Sequence, residues 1–201
     1  IVFAASLGSA WGPNEERGVF RTTDGGKSWK KILYVNDLTG CAELVVDQNN
    51  PNKLIAAMWE YQRKPWTMNS GGKGSGLYVS YDGGDTWTKR TEEDGLPKGN
   101  LGRIGLAISK SKPNVVYALV EAKDNALYRS DDGGDKWKKM ADKNMGDRPF
   151  YYAEIYVDPK DENRVYSIHT VITRSEDGGK NFETWAGWVI HPDHHAFWIS
   201  P

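Results

Sequence analysis

Apolar residues fall in short runs rich in β-branched and aromatic side chains, each bounded by Pro, Asn, Asp or Gly, which is the pattern of strands rather than of amphipathic helices. Such runs occupy 42–47, 54–59 and 76–80, then 103–109, 115–121 and 126–130, then 153–158, 164–169 and 171–175. Three more, at 1–6, 18–22 and 28–33, open the chain, and 87–90 and 137–140 supply outer strands. The longest apolar run, 115–120, is far short of the roughly 20 residues that a bilayer span requires.

Between these runs one short pattern recurs. It reads Thr22-Thr-Asp24-Gly-Gly-Lys-Ser-Trp29, Ser80-Tyr-Asp82-Gly-Gly-Asp-Thr-Trp87, Ser130-Asp-Asp132-Gly-Gly-Asp-Lys-Trp137 and Ser175-Glu-Asp177-Gly-Gly-Lys-Asn-Phe182. Gly-Gly at one chosen place has a chance of roughly 0.5%, so four copies in one frame after Asp make a true repeat. The Asp positions, 24, 82, 132 and 177, recur at the period of four-stranded propeller blades. Each box explains itself mechanically. Gly supplies positive φ for a tight hairpin, the Asp carboxylate accepts backbone N–H groups across it, the preceding Ser or Thr satisfies another, and the aromatic packs on a neighbouring sheet.

The expected fold is therefore all-β, a β-propeller of four-stranded antiparallel blades, with about four blades forming a section of a larger propeller. The blades fall at 1–35, 41–91, 102–141 and 152–186, and 194–201 reads as the innermost strand of the next. The alternative is that this last strand completes the first blade and closes a four-bladed ring.

The four boxes resemble the Asp-box (BNR) repeat, and the turns at 47–51, 109–113 and 158–161 resemble its companion turn. Segments 18–21, 96–99 and 193–199 extend the similarity toward bacterial sortilin-like and YVTN/BNR-like proteins, whose relatives include xyloglucan-cleaving glycoside hydrolases, photosystem assembly factors and sialidases. The resemblance implies a propeller, an extracytoplasmic place (periplasmic, cell-surface or secreted) and either a binding or a hydrolytic role. No arginine triad matching a sialidase can be placed, and the chain lacks both the cysteines and the Asn-x-Ser/Thr sequons of eukaryotic sortilins. A box specifies fold, not chemistry.

Composition narrows the classes. The net charge of -1 gives no drive toward nucleic acid or anionic lipid, so the expected partner is a protein or polysaccharide, with no nucleic acid and no direct membrane insertion. The single Cys41 forms no internal disulfide and no zinc cluster, leaving a packed core to hold the fold. Ile1 in place of an initiator Met points to a processed chain or a fragment, part of a longer chain or larger complex. No cofactor is called for.

Aligning the innermost strands brings Cys41, Arg103, Tyr152 and His194 into one row and Glu43, Gly105, Glu154 and Ala196 into the row two residues on. Glu43, Arg103, Glu154 and His194 are thus expected at the channel mouth. Glu43 and Glu154 are the candidate catalytic pair, since glycoside cleavage needs two carboxylates; the plainer reading pairs them with cations. Arg63 and Trp66 in the long loop 61–75, and Arg148 and Tyr152 between blades, join Arg103 and His194 as candidate ligand-binding residues. The cluster His191-Pro-Asp193-His194-His195 offers at most three groups to a metal, and no metal is expected; His195 is placed in blade packing.

Overall fold

The computed structural model describes residues 1–146, 148–151, 154–187 and 189–201. The strands are β1 (Val2–Ser6), β2 (Gly18–Thr22), β3 (Lys30–Leu33), β4 (Thr39–Val46), β5 (Leu54–Lys64), β6 (Thr67–Ser70), β7 (Gly76–Ser80), β8 (Thr88–Lys89), β9 (Ile104–Ile108), β10 (Val116–Val120), β11 (Ala126–Ser130), β12 (Lys138–Ala141), β13 (Glu154–Val157), β14 (Val165–Ile168), β15 (Ile172–Ser175) and β16 (Glu183–Ala186). They form four antiparallel meanders, β1-β2-β3, β4-β5-β7-β8, β9-β10-β11-β12 and β13-β14-β15-β16. The protein is an all-β set of propeller blades.

The main core lies between the second, third and fourth blades, where Ile55, Leu77, Val79, Leu106, Tyr117, Leu119, Leu127 and Ile155 interdigitate. Val19, Leu33, Cys41, Ala56 and Met58 form a second cluster between the first and second blades. Innermost strands pack in sequence, β1 on β4, β4 on β9 and β9 on β13, whereas β1 and β13 do not pack as these neighbours do. The four blades form an open arc, not the closed ring held as the alternative.

The boxes show why this sequence turns where it does. Thr22, Ser80, Ser130 and Ser175 each accept the N–H of the second glycine, and Asp24, Asp82, Asp132 and Asp177 accept N–H groups from across the turn. The Ser28 hydroxyl and backbone hold the Asp24 carboxyl well below its usual range, and Thr86 does the same for Asp82. In the last three blades the first box glycine also donates to the carbonyl of Asn52, Asn114 or Asn163, tying the turn to the hairpin between the blade's first two strands.

The second box glycine lies against the preceding blade: Gly84 on Ile32, Gly134 on Ile55 and Val79, Gly179 on Leu127 and Tyr117. Trp137 and Phe182 are buried accordingly and Trp87 is half-buried, but Trp29 is 45% exposed. A Cβ added at Gly26 would meet nothing within 4 Å, because no blade packs on that side of the first box; the expected sheet packing therefore fails at Trp29.

Two further expectations change. Residues 61–75 are not simply a loop, because β5 continues to Lys64 and pairs with β6 as a hairpin that rises beyond the blade. Residues 194–201 form no strand, since they hydrogen-bond to no ladder partner along their length. The His194 N–H donates to the His169 carbonyl, and Phe197 and Ile199 then cover the face of the fourth blade that carries Tyr156, Tyr166 and Ile168.

Candidate functional site

The box turns occupy one face of the arc, and the β5–β6 hairpin and the segment before β13 belong to the opposite one. Between the inner strands Glu43, Arg103 and Glu154 come together. A β-bulge between Cys41 and Glu43 interrupts the alternation of β4, so Cys41 enters the core beneath the first blade while Glu43 turns toward the third. Strict period-two counting puts these two side chains on one side, and the extra residue Ala42 is what separates them.

Glu43 is half-buried and accepts the Leu106 N–H at 2.8 Å, so its carboxyl bonds the main chain of the adjacent inner strand β9. Burial pushes this carboxyl up to about 7 and Glu154 adds to the rise, outweighing the Leu106 bond and the Arg103 charge. Glu154 pairs with the Arg103 guanidinium at 3.2 Å. Glu43 and Glu154 line one cavity of about 230 Å³ with Leu106, Lys110 and Tyr156.

Arg103 is held from several directions. Its guanidinium donates to the Tyr151 carbonyl at 3.0 Å and lies 5.8 Å from the centroid of the Trp59 ring. Its main-chain N–H donates to Glu121, which also accepts the Ser70 hydroxyl at 2.6 Å. The Trp59 indole donates in turn to Ser70, joining the second, third and fourth blades in one polar network. Glu121 and Ser70 were not foreseeable as partners, because their meeting depends on the hairpin.

Of the other candidates, Trp66 stands at the hairpin tip and is 79% exposed. Arg63 and Arg148 line a common cavity of about 420 Å³ with Lys64, Met68, Phe150 and Tyr151. Tyr152 lies outside the described residues. His194 sits on the tail that packs over the fourth blade, its main-chain N–H on the His169 carbonyl. His195 is exposed rather than packed between blades; it pairs with Asp193 at 3.5 Å and sets its ring edge toward Tyr151. Among the described residues no three His, Cys, Asp or Glu side chains gather as metal ligands.

A buried arginine escaped the sequence reading. Arg17 is fully buried and donates to the carbonyls of Leu7, Ser9, Gly12 and Tyr61, clamping the loop between β1 and β2 to the base of the hairpin. The signal available was weak: an arginine beside a glycine-containing loop.

These turns and blades define an Asp-box β-propeller section. The model of the BNR/Asp-box repeat matches residues 20–31 and 78–89, the first two boxes. No curated protein sequence matches the chain. Among solved structures, the chain resembles a GH74 xyloglucanase from Xanthomonas campestris at 18% identity and a TM-score of 0.60, covering 83% of this chain and 25% of that one. An ancestral GH74 enzyme aligns at 19% identity and a TM-score of 0.62, covering 93% and 24% respectively. A Trypanosoma rangeli sialidase aligns at 17% identity and a TM-score of 0.53, covering 91% and 34%. The likeness is one of fold, and this chain spans about a quarter of the length of the GH74 enzymes.

Proposed function

We propose that this section is a non-catalytic recognition module that presents its loops to a protein or polysaccharide partner at an extracytoplasmic location. The observation that carries the reading is the use already made of both candidate carboxylates. Glu43 bonds the main chain of β9 and Glu154 is paired with Arg103, so both act as ties between blades. Exposed Trp66, Arg63 and Lys64 lie on the hairpin, by contrast, with exposed Tyr151 and Arg148 beside it. No helix of the described chain is long and apolar enough to cross a membrane.

A second reading, a glycoside hydrolase acting on a polysaccharide, is favoured by one observation. Glu43 is raised to about 7 beside Glu154 in a shared cavity, and a carboxyl that keeps its proton near neutrality is what a general acid requires. The test is a polysaccharide-hydrolysis and glycan-binding screen with Glu43→Gln and Glu154→Gln alongside. The module reading predicts no cleavage by any of the three proteins. Cleavage that either substitution abolishes in a folded protein overturns it and places the acid and base in the channel.

A further inference from the structure

The cavity between the hairpin and the fourth blade has a chemistry of its own. Arg63, Lys64 and Arg148 line it, its apolar wall is built from Met68, Phe150 and Tyr151, and no carboxylate lines it among the described residues. On the blades Arg21, Arg90, Arg103, Arg129, Arg164 and Arg174 all engage carboxylates. Arg63 and Lys64 are exposed and engage none among the described residues, in a chain whose net charge is -1. Three cationic side chains thus share one cavity.

The hairpin is also held in place before any ligand arrives. The Arg63 N–H donates to the Ala10 carbonyl at 2.7 Å, the Gln62 side chain donates to the Trp11 carbonyl at 3.4 Å, and Arg17 fixes the loop that supplies both acceptors. A preformed site of this kind loses less entropy on binding. Trp11, 66% exposed, and Trp66, 79% exposed, flank it. Arginine, methionine and aromatic residues together are the composition of protein-interface cores.

One feature separates a peptide from a sugar. Among the described residues β6 pairs with β5 alone, and its Thr67 and Met68 border the cavity, so no described strand pairs its outer main-chain edge beside the cations. An extended peptide can add to such an edge, which a polysaccharide cannot do. We propose that this cavity and the β6 edge bind an extended acidic peptide, its carboxylates meeting Arg63, Lys64 and Arg148 and an apolar side chain entering against Met68 and Phe150. This rests on the recognition-module reading and names the partner class for it.

The test is fluorescence anisotropy on the full chain with a labelled twelve-residue peptide alternating Glu and Phe. Its Lys-for-Glu counterpart, a backbone N-methylated version and polygalacturonate as competitor complete the set. Saturable binding is expected for the acidic peptide, weakened at least tenfold by Arg63→Glu with Lys64→Glu, weakened by added salt and by N-methylation, and unchanged by Lys138→Glu on β12. The lysine peptide should not bind. No saturable binding of the acidic peptide, equal binding after the charge reversal in a protein of unchanged circular dichroism, or tighter binding of polygalacturonate than of the peptide overturns the proposal. Failure here is distinguishable from failure of the module reading, which is decided by hydrolysis and its loss in the Glu43 and Glu154 variants.

Discussion

Glu43 shows how one inserted residue sets the chemistry of a carboxyl. Had β4 alternated without the bulge, Glu43 would share the side of Cys41, which packs with Val19 and Met58. Turned instead toward β9, it is half-buried, and its carboxyl meets a main-chain N–H and stands within the field of Arg103 and Glu154. The pH dependence follows with a definite sign. The folded carboxyl titrates near 7, above the ordinary glutamate value of 4.5, so folding favours its protonated form. Stability from this group is full below about pH 4 and is lost as pH rises toward and through 7. Relative to the wild type, Glu43→Gln should therefore gain stability between pH 4 and pH 9, by about 3 kcal/mol at most. Urea unfolding of both proteins at the two pH values measures this, and a constant difference refutes it. The bulge itself was not legible in the sequence. Cys41-Ala-Glu43 reads as ordinary strand, and only the pairing of Cys41 with Met58 and Glu43 with Ala57 reveals the extra residue.

At the scale of elements, the local signals and the tertiary ones divide cleanly. Box turns were readable because their bonds close within eight residues, as from Ser130 to Gly134 and from Asp132 to Lys136. In sequence the β5–β6 hairpin reads as part of a loop because its turn at Pro65 and Trp66 lacks the Asn-Gly or Asp-Gly signature, and its support comes from a distant segment. That support is Arg17. Its guanidinium donates to four carbonyls, three in the loop between β1 and β2 and one at Tyr61, where β5 begins to rise beyond the blade. Arg17→Ala leaves these partly buried acceptors to water, each at a cost of up to about 1 kcal/mol. The expected loss is roughly 3 kcal/mol by urea unfolding, with Arg17→Lys recovering only part because one ammonium cannot reproduce the planar fork. Proteolysis should then nick the hairpin before the blades; a variant as stable and as resistant as the wild type would remove Arg17 from this role.

Across the whole molecule, stability should follow position in the arc, since the blades' strands pack chiefly on those of their neighbours. The second and third blades are covered on both faces, and the largest cluster of buried side chains is theirs with part of the fourth. The first blade leaves Trp29 and Val2 exposed, and among the described residues Phe197 and Ile199 lie across the outward face of the fourth, with Trp185 still 48% exposed. The inter-blade ties run in the same direction: Arg21 reaches Asp85, Arg90 reaches Asp135, and Arg129 reaches Asn163. A terminal blade therefore has ties on one side where an inner blade has them on two. Hydrogen exchange read by mass spectrometry should show the slowest amides in β5, β7, β10 and β11, faster exchange in β2, and the fastest ladder exchange in β14 and β15. Uniform protection across all four sheets would mean that the arc unfolds as one cooperative unit. In that case the polar network from Trp59 through Glu121 to Arg103 and Glu154 couples the blades more strongly than their apolar contacts.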